Sequence, residues 1–390
     1  MYREANMKTK QLLAGIITCA TILCLIGCDN SSSTDVNLDT FDLEDELSSL
    51  PTTYSGEGIE KIGISMPAVE LERWVHDGNL LKECFENAGY EAEVLFGNNL
   101  IDTQINDINT LIDDGADLLI ISPVDSDSLV YCMKRAHEEG IPVISYDRLI
   151  LHSPYILAYV SYDNYEVGRM QAQYIIDTLD LENAAEGDSY SIEIFSGDPA
   201  DNNAKYFYQG AMDTLSEYLD SGVLTVPSEQ TDFYSCSVSS WSTSMAEERM
   251  DILLSGYYSD NKTLDAVLVA NDSLALGVAN AITDSYTGEN QIIITGQDCD
   301  TANIANIESG LQSMSIYKNL QNEVYLTCYI VESYINGASS NSDLSDGNDF
   351  DFTITYDTNS YQVDGYAVPS YLLAPQLITS DNISDLPDYD

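Results

Sequence analysis

From Ile59 onward the sequence alternates short β-rich runs with longer stretches of helical periodicity, and this rhythm occurs twice. The runs of the first series are KIGISM, EAEVLF, DLLIIS, PVISY and ILAYVSY, and those of the second are SIEIFSG, LTV, DAVLVA and IIITGQD. Each intervening helix must return the chain, right-handed, over a face of a sheet, so strands separated in this way pair in parallel. Two series predict two α/β lobes, each built on a doubly wound parallel sheet.

A long helix and an extended segment follow the second series. The pattern predicts a helix from Asn319 to about Asn336 and then an acidic, Ser-rich loop over residues 338–350. The closing segment YAVPSYLLAPQLIT has extended character. Because proline cannot donate to a strand ladder, Pro369 and Pro375 limit this segment to edge or crossover geometry.

The N-terminus has the pattern of a bacterial targeting segment. Three basic residues precede an apolar run that ends in LIGC and is too short to favour a stable membrane span. A small residue before Cys28 is typical of a lipobox, so we expect a signal peptide over residues 1–27 and acylation of Cys28. An ordinary signal peptide with an unrelated cysteine is the alternative. Residues 28–58 are acidic, rich in Ser and Thr and without Lys or Arg, which predicts a solvated tether between a lipid anchor in the cell membrane and an extracytoplasmic domain.

Composition and motifs exclude several classes of function. The chain has 65 Asp and Glu against 14 Lys and Arg, a net charge of −51, which disfavours nucleic acid and anionic lipid head groups as partners. It contains no GxSxG, GxxxxGK[ST] or HExxH motif, and the five cysteines after the tether show no CxxC spacing. We therefore expect a monomeric protein that is not an enzyme and that holds no cofactor and no metal.

Several of the scarce cations follow directly after predicted strands. In open parallel sheets, ligands bind beyond the carboxyl ends of the strands, where the loops converge. Arg148 follows the PVISY run, and Arg73 and Lys318 occupy equivalent positions after two other runs. The candidate site residues at strand ends are Arg73, Trp74, Asp147, Arg148, Asn203, Asn271, Asp298 and Lys318, and Trp241, the second of two tryptophans, is added as an aromatic wall.

This set of side chains suits a neutral polyhydroxy ligand. Each hydroxyl both donates and accepts, so donor-only cations, acceptor-only carboxylates and amides complement it. Aromatic rings suit the C–H face of a pyranose, and opposite charges that neutralise each other need no charged ligand. The alternatives are a surface ion pair between Arg148 and Asp147, a structural role for Trp241, and simple helix capping by Asn203.

The motifs LERW, YDR, GDPADNNAK, ND and GQD, together with EERMDILLSGYYSD, resemble the periplasmic xylose-binding and multiple-monosaccharide-binding proteins of sugar ABC transporters. The resemblance covers about Ile59 to Asp385. It implies a type I periplasmic binding protein fold, with two Rossmann-like lobes joined by three hinge strands. It also implies sugar contacts at Arg73, Asp147, Arg148, Asn203, Asn271, Asp298 and Lys318, a stacking ring at Trp241 and a second aromatic at Trp74.

The chain path of that fold predicts a first lobe of residues 59–162 plus 316–350 and a second of residues 163–315 plus 351–385. The lobes would close on the ligand through a hinge, since only the closed form satisfies both sets of contacts. The resemblance implies a receptor that binds an aldopyranose such as xylose, glucose, galactose or arabinose and delivers it to an ABC transporter permease and ATPase. The alternative is a module that presents sugar to a membrane histidine kinase or chemoreceptor. A sugar-responsive repressor is disfavoured, because it needs a basic DNA-binding segment where this chain has an acidic tether.

Overall fold

The computed structural model describes residues 56, 58–69, 71–259, 262–339, 342–346 and 350–387. All of them belong to one compact unit, Pro51–Asp390. The predicted signal peptide, Cys28 and nearly all of the predicted tether lie outside the described residues. Among the helices within these ranges, none has both the length and the apolar character that a membrane crossing requires.

The described residues form fifteen strands and ten α-helices. The strands are β1 Lys61–Met66, β2 Glu91–Phe96, β3 Leu118–Ile121, β4 Val143–Tyr146, β5 Ile156–Tyr162, β6 Tyr190–Phe195, β7 Leu224–Thr225, β8 Ala266–Val269, β9 Ile293–Ile294, β10 Ser315–Tyr317, β11 Ile354–Asp357, β12 Gln362–Val363, β13 Tyr366–Ala367, β14 Ser370–Leu373 and β15 Gln376–Ile378. The helices are α1 Glu72–Ala88, α2 Ile101–Asp113, α3 Val130–Glu138, α4 Asn164–Leu179, α5 Asn202–Ser221, α6 Phe233–Cys236, α7 Thr243–Tyr257, α8 Asp272–Ser285, α9 Thr301–Ser309 and α10 Leu320–Ile335.

The first lobe is built on a seven-stranded sheet in the order β11-β14-β5-β4-β3-β1-β2. All neighbouring pairs are parallel except β11 with β14, which is antiparallel at one edge. The central strands are apolar on both faces, and their side chains form one core with helices α1 and α10. This is the pattern of a parallel sheet covered by helices on both sides.

The second lobe is built on a four-stranded parallel sheet in the order β7-β6-β8-β9. Its apolar side chains pack with helices α4, α5, α7 and α8 in two further clusters. An isolated bridge between Gln297 and Ile316 extends this sheet towards β10, which pairs antiparallel with β15. Both predicted α/β lobes are therefore present, and the predominantly parallel fold class is confirmed.

Within the described residues the chain passes between the two lobes three times. The passages lie between β5 and α4, between β10 and α10, and between β14 and β15. The prediction that residues 351–385 belong to the second lobe is wrong for β11 and β14. Strand β14 pairs in parallel with β5 of the first sheet, and β11 pairs with β14. The sheet to which a strand belongs depends on the strand with which it forms hydrogen bonds. The order of elements along the chain does not reveal that partner.

Candidate functional site

All nine residues predicted for the site line one cavity between the lobes, at the carboxyl ends of the strands. The cavity has a volume of about 30 Å³. Four further residues line it that were not among the predicted contacts: Leu71, Asp201, Phe207 and Gln297. In the first lobe, α1 and the loop after β4 line this space. In the second lobe it is lined by α5, by the turn at Trp241, and by the loops before α8 and after β9. The site therefore depends on both halves of the chain.

Arg73 stands in the first turn of α1 and holds the centre of the charged cluster. Its Nη2 atom lies 2.9 Å from Oδ2 of Asp147 and 3.2 Å from Oδ2 of Asp77. The same guanidinium lies 3.5 Å from Oδ1 of Asp298 in the second lobe and 3.5 Å from Oε2 of Glu323 in α10. Burial lowers the pKa of Arg73, but the surrounding carboxylates, with Asp147 the strongest, raise it well above its ordinary value. Arg73 is thus a fixed, permanently charged donor.

Asp147 follows β4 in a left-handed backbone conformation, with φ of 56°. This conformation is uncommon for a residue other than glycine and often marks a functional site. It is held by three hydrogen bonds to the Asp147 carbonyl oxygen, donated by the Tyr159 hydroxyl, the Ser161 hydroxyl and the Asn203 amide. Burial raises the pKa of the Asp147 carboxyl, but Arg73 and other nearby cations outweigh burial and hold it below its ordinary value. Asp147 is therefore an ionised acceptor.

Arg148 connects the first lobe to the second. Its Nε atom lies 2.9 Å from Oδ2 of Asp201, and Arg148 is only 5% exposed. The alternative of a surface ion pair with Asp147 is therefore wrong, since Arg148 is buried and its carboxylate partner comes from the other lobe. Burial raises the pKa of the Asp201 carboxyl above its ordinary value, although Arg148 opposes this shift. The pair therefore joins the two lobes directly.

Trp74 packs beneath the two guanidinium groups. The Cζ atoms of Arg73 and Arg148 lie 4.5 Å and 4.9 Å from its ring centroid. These are cation–π distances. The indole therefore orients both arginines, and its ring face is occupied by the protein itself. Its Nε1 atom has no hydrogen-bond partner among the described residues.

Lys318 and Asp298 form a second ion pair at the cavity wall, with Nζ 3.0 Å from Oδ1. Lys318 also lies 3.9 Å from Oδ2 of Asp147 and 5.9 Å from the ring centroid of Phe207. Asp298 follows the short strand β9 with φ of 98°, again a left-handed conformation. Lys318 thus contacts acceptors from both lobes.

Amide side chains of the second lobe supply groups that donate as well as accept. Asn203 donates from Nδ2 to the Asp147 carbonyl at 2.7 Å, and its Oδ1 atom lies 2.9 Å from the Tyr159 hydroxyl, whose one hydrogen it shares with that carbonyl. The N-cap residue of α5 is Asp201, whose Oδ1 atom accepts a hydrogen bond from the backbone N–H of Asn203. Asn271 caps α8 through its Oδ1 atom. The Oδ1 atom of Asn271 is therefore used to cap a helix, whereas the side chain of Asn203 forms a hydrogen bond between the two lobes.

Trp241 forms the aromatic wall on the second-lobe side. It ends the 3-10 turn Ser239–Trp241 and meets Phe207 edge-to-face at a centroid distance of 6.4 Å. A Cβ atom on Gly197 would lie 1.9 Å from Cη2 of the indole, so only glycine permits this approach. Two buried polar atoms on this side, Nε1 of Trp241 and Oε1 of Gln297, have no partner among the described residues. Buried polar atoms are nearly always hydrogen-bonded, so a hydrogen-bonding ligand would complete the site.

The cluster combines charges of both signs. It contains three cations and five carboxyl groups: Arg73, Arg148, Lys318, Asp77, Asp147, Asp201, Asp298 and Glu323. Burial, reinforced by Asp147, raises the pKa of Glu323 well above its ordinary value, and burial raises that of Asp77 against the opposing effect of Arg73. Both shifts favour protonation of these acids and so reduce the negative charge of the cluster.

The residues that sequence reasoning missed carried weak local signals. Asp201 lies two residues before Asn203 at a helix N-cap, and Phe207 lies one helical turn after Asn203. Gln297 ends a β-rich run beside Asp298. Asp77 and Glu323 lie behind the cavity on helices, where sequence periodicity shows only that they share a buried face. Within the described part of the chain, no group of three or more His, Cys, Asp and Glu side chains has the arrangement of a metal site.

The fold and the site define a class of protein: a two-lobed α/β protein with a polar cavity between its lobes. Residues 62–339 match the periplasmic binding protein domain family, and the chain belongs to that family, in its type I form. The chain is 34% identical over 324 residues to the multiple sugar-binding periplasmic protein SbpA of Azospirillum brasilense, covering 82% of this chain and 86% of that protein. It is 31% identical over 326 residues to the D-xylose-binding periplasmic protein of Escherichia coli strain K12, covering 83% and 88%.

A similar solved structure is an ABC transporter solute-binding protein from Clostridium phytofermentans with bound β-D-glucose. It superposes with a TM-score of 0.78 at 41% identity, over 83% of this chain and 95% of that chain. This likeness extends through both lobes and the connections between them.

Proposed function

We propose that this protein is an extracytoplasmic receptor that binds one monosaccharide between its two lobes and delivers it to the permease and ATPase of an ABC transporter. The ligand would be an aldopyranose such as xylose, glucose, galactose or arabinose. The protein would act by binding and release, without chemical change to the sugar.

The observation that carries this proposal is the alternation of fixed donors and fixed acceptors around one small cavity. Arg73, Arg148 and Lys318 can only donate, while the carboxylates of Asp147 and Asp298 can only accept. Sugar hydroxyls do both, so each can be paired twice in such a site. The cavity as it stands has a volume of only about 30 Å³, far below the roughly 300–1,000 Å³ of small-molecule sites, so the lobes would have to move apart to admit one sugar ring.

The charge balance and the aromatic wall support an uncharged pyranose. A cluster whose cations and carboxylates neutralise each other offers no net attraction to a sugar phosphate or a sugar acid. Trp241 and Phe207 present apolar surface to the cavity, which suits the C–H face of the ring. Because the Trp74 face is covered by two guanidiniums, we assign stacking to Trp241 and an orienting role to Trp74.

The named relatives support the ligand class. SbpA is described as a multiple sugar-binding protein, the Escherichia coli relative as D-xylose-binding, and the Clostridium phytofermentans structure contains β-D-glucose. We further propose that acylation of Cys28 holds the receptor at the outer face of the cell membrane, with residues 28–58 as the tether. About two acyl chains give stable anchoring where one gives only reversible binding.

Calorimetric titration of the purified protein against a panel of aldoses, alditols and sugar acids tests this function. We expect binding with a stoichiometry of one to at least one pentose or hexose, and weaker binding of the matching alditol and of the matching acid. Absence of binding to every aldose, with binding to a charged ligand, would refute the proposal. Uptake of labelled sugar in cells that lack the gene separates transport from sensing, because unchanged uptake with loss of sugar-induced transcription supports the sensory alternative.

A further inference from the structure

The first lobe contains a pair of cysteines that the sugar site does not use. Cys84 lies in the last two turns of α1, and Cys328 lies in the middle of α10. These two helices pack together, and both thiols belong to the same apolar cluster. Of the other described cysteines, Cys132 lies on α3 and Cys236 on α6, and each is buried. Among the described cysteines, Cys84 and Cys328 lie on two different helices of the same apolar cluster.

The two thiols lie in one apolar cluster at the contact between α1 and α10, and they differ in their surroundings. Cys84 is half-buried, whereas Cys328 is 4% exposed. The thiol of Cys328 lowers the pKa of Cys84 below its ordinary value, although burial, Glu332 and Glu83 oppose the shift. Burial raises the pKa of Cys328 well above its ordinary value. Cys84 is therefore the thiol that reacts first, since the thiolate is the nucleophile and needs access to its reagent.

We propose that Cys84 and Cys328 form an intramolecular disulfide when the protein meets a disulfide oxidant outside the cytoplasm. The Cys84 thiolate attacks one sulfur of the external disulfide, breaks its S–S bond and releases one thiol. Cys328 then loses its proton to solvent and attacks Sγ of Cys84, which forms the internal bond and releases the second thiol. Two cysteine thiols are oxidised and one external disulfide, such as glutathione disulfide, is reduced.

The bond ties together the two helices that support the charged cluster. Helix α1 begins with the turn that contains Arg73 and Trp74, and α10 contains Glu323 in its first turn. Cys84 lies about three turns from Arg73 and Trp74, and Cys328 lies about one and a half turns from Glu323. Neither thiol lines the cavity. The disulfide therefore stabilises the first lobe and leaves the ligand contacts unchanged. The proposal depends on the proposed function only for the extracytoplasmic oxidant, and its test contains no sugar.

Peptide mapping of the full-length chain tests this pairing. The reduced protein is exposed to glutathione disulfide in its native state, its remaining thiols are alkylated after denaturation, and its disulfides are located by mass spectrometry. We expect one cross-linked peptide joining Cys84 to Cys328, and free thiols at Cys132, Cys236 and Cys299. Oxidation should raise the apparent Tm by about 5 °C.

Two matched variants separate this pair from general oxidation. Cys84→Ser should abolish the rise in Tm, whereas Cys132→Ser, at a buried thiol elsewhere in the same lobe, should retain it. Persistence of a glutathione adduct on Cys84 with Cys328 still free would overturn the proposal, as would recovery of both thiols in reduced form. The mapping of the unsubstituted protein decides the question even if a variant fails to fold.

Discussion

Replacing Arg148 by alanine should weaken sugar binding strongly while leaving the ligand-free protein folded. The Nε atom of Arg148 lies 2.9 Å from Oδ2 of Asp201, and both side chains are almost fully buried in the closed form. Truncating one partner of a buried charge pair costs about 2–5 kcal/mol, much of it because the other charge is left buried and unpaired. We expect a total of about 3 kcal/mol, which raises Kd roughly a hundredfold.

The loss should appear in binding because opening of the lobes separates the two residues and returns both to water. The ligand-free protein would therefore keep its Tm in Arg148→Ala. Calorimetry with the best aldose measures the change in Kd, and thermal unfolding without sugar measures the change in stability. Arg135→Ala is the matched control, since Arg135 lies in the same lobe and pairs with Asp113 and Glu139 at the surface. Exposed pairs contribute about 0–1 kcal/mol, so this control should bind sugar normally.

A second variant tests whether the affinity is lost because the Asp201 carboxylate is left unpaired. In the double variant Arg148→Ala with Asp201→Asn, the unpaired carboxylate is also removed, so part of the lost affinity should return. If Arg148→Ala bound sugar within twofold of the unsubstituted protein, the assignment of Arg148 to the site would be wrong. If the double variant lost the sum of the two single effects, Arg148 and Asp201 would not act as a pair.

Three further predictions follow from the site. The pKa of Glu323 lies well above its ordinary value of 4.5 in the folded state, so the free energy of unfolding should fall as the pH rises above about 4.5. Glu323→Gln should flatten this dependence when the free energy of unfolding is measured by urea denaturation at several pH values. If the variant and the unsubstituted protein showed the same pH dependence, the raised pKa would be contradicted. Gly197→Ala should push the Trp241 indole away and weaken sugar binding about tenfold, whereas Gly256→Ala, with nothing within 4 Å of the added carbon, should bind normally; equal binding by both variants would exclude the close approach. Asn203→Ala removes two buried hydrogen bonds between the lobes and should raise Kd about tenfold by calorimetry, and an unchanged Kd would show that these bonds do not support the closed form.

The cavity residues were predictable from sequence because the parallel fold brings strand ends together. Once the alternation of strands and helices was recognised, a charged residue directly after a strand had a defined position at one edge of a sheet. Asp147 and Lys318 follow strands in this way, Arg73 lies in the first turn of the helix after β1, and all three line the cavity. Asp77 and Glu323 were not predictable, because a carboxyl on the buried face of a helix gives no sign of the cation that it will meet.

For Arg148, the sequence predicted the position but not the ion-pair partner. Its position after β4 follows from the local sequence, but its partner Asp201 lies in the other lobe, and the adjacent Asp147 was the obvious candidate. The assignment of β11 and β14 failed for a related reason. Their place at the edge of the first sheet is decided by hydrogen bonds to β5 and to each other.

The sequence by itself determined the α/β class, the two lobes and the side chains at the strand ends, because these depend on periodicity and on order along the chain. Only the tertiary structure decided which sheet the final strands join, which carboxylate faces which cation and which acids are buried. Those properties depend on distances of a few ångströms between residues far apart in sequence, where burial and Coulomb energy change steeply with position. The pair of thiols on α1 and α10 belongs to this second group, since neither cysteine has a spacing that indicates its partner.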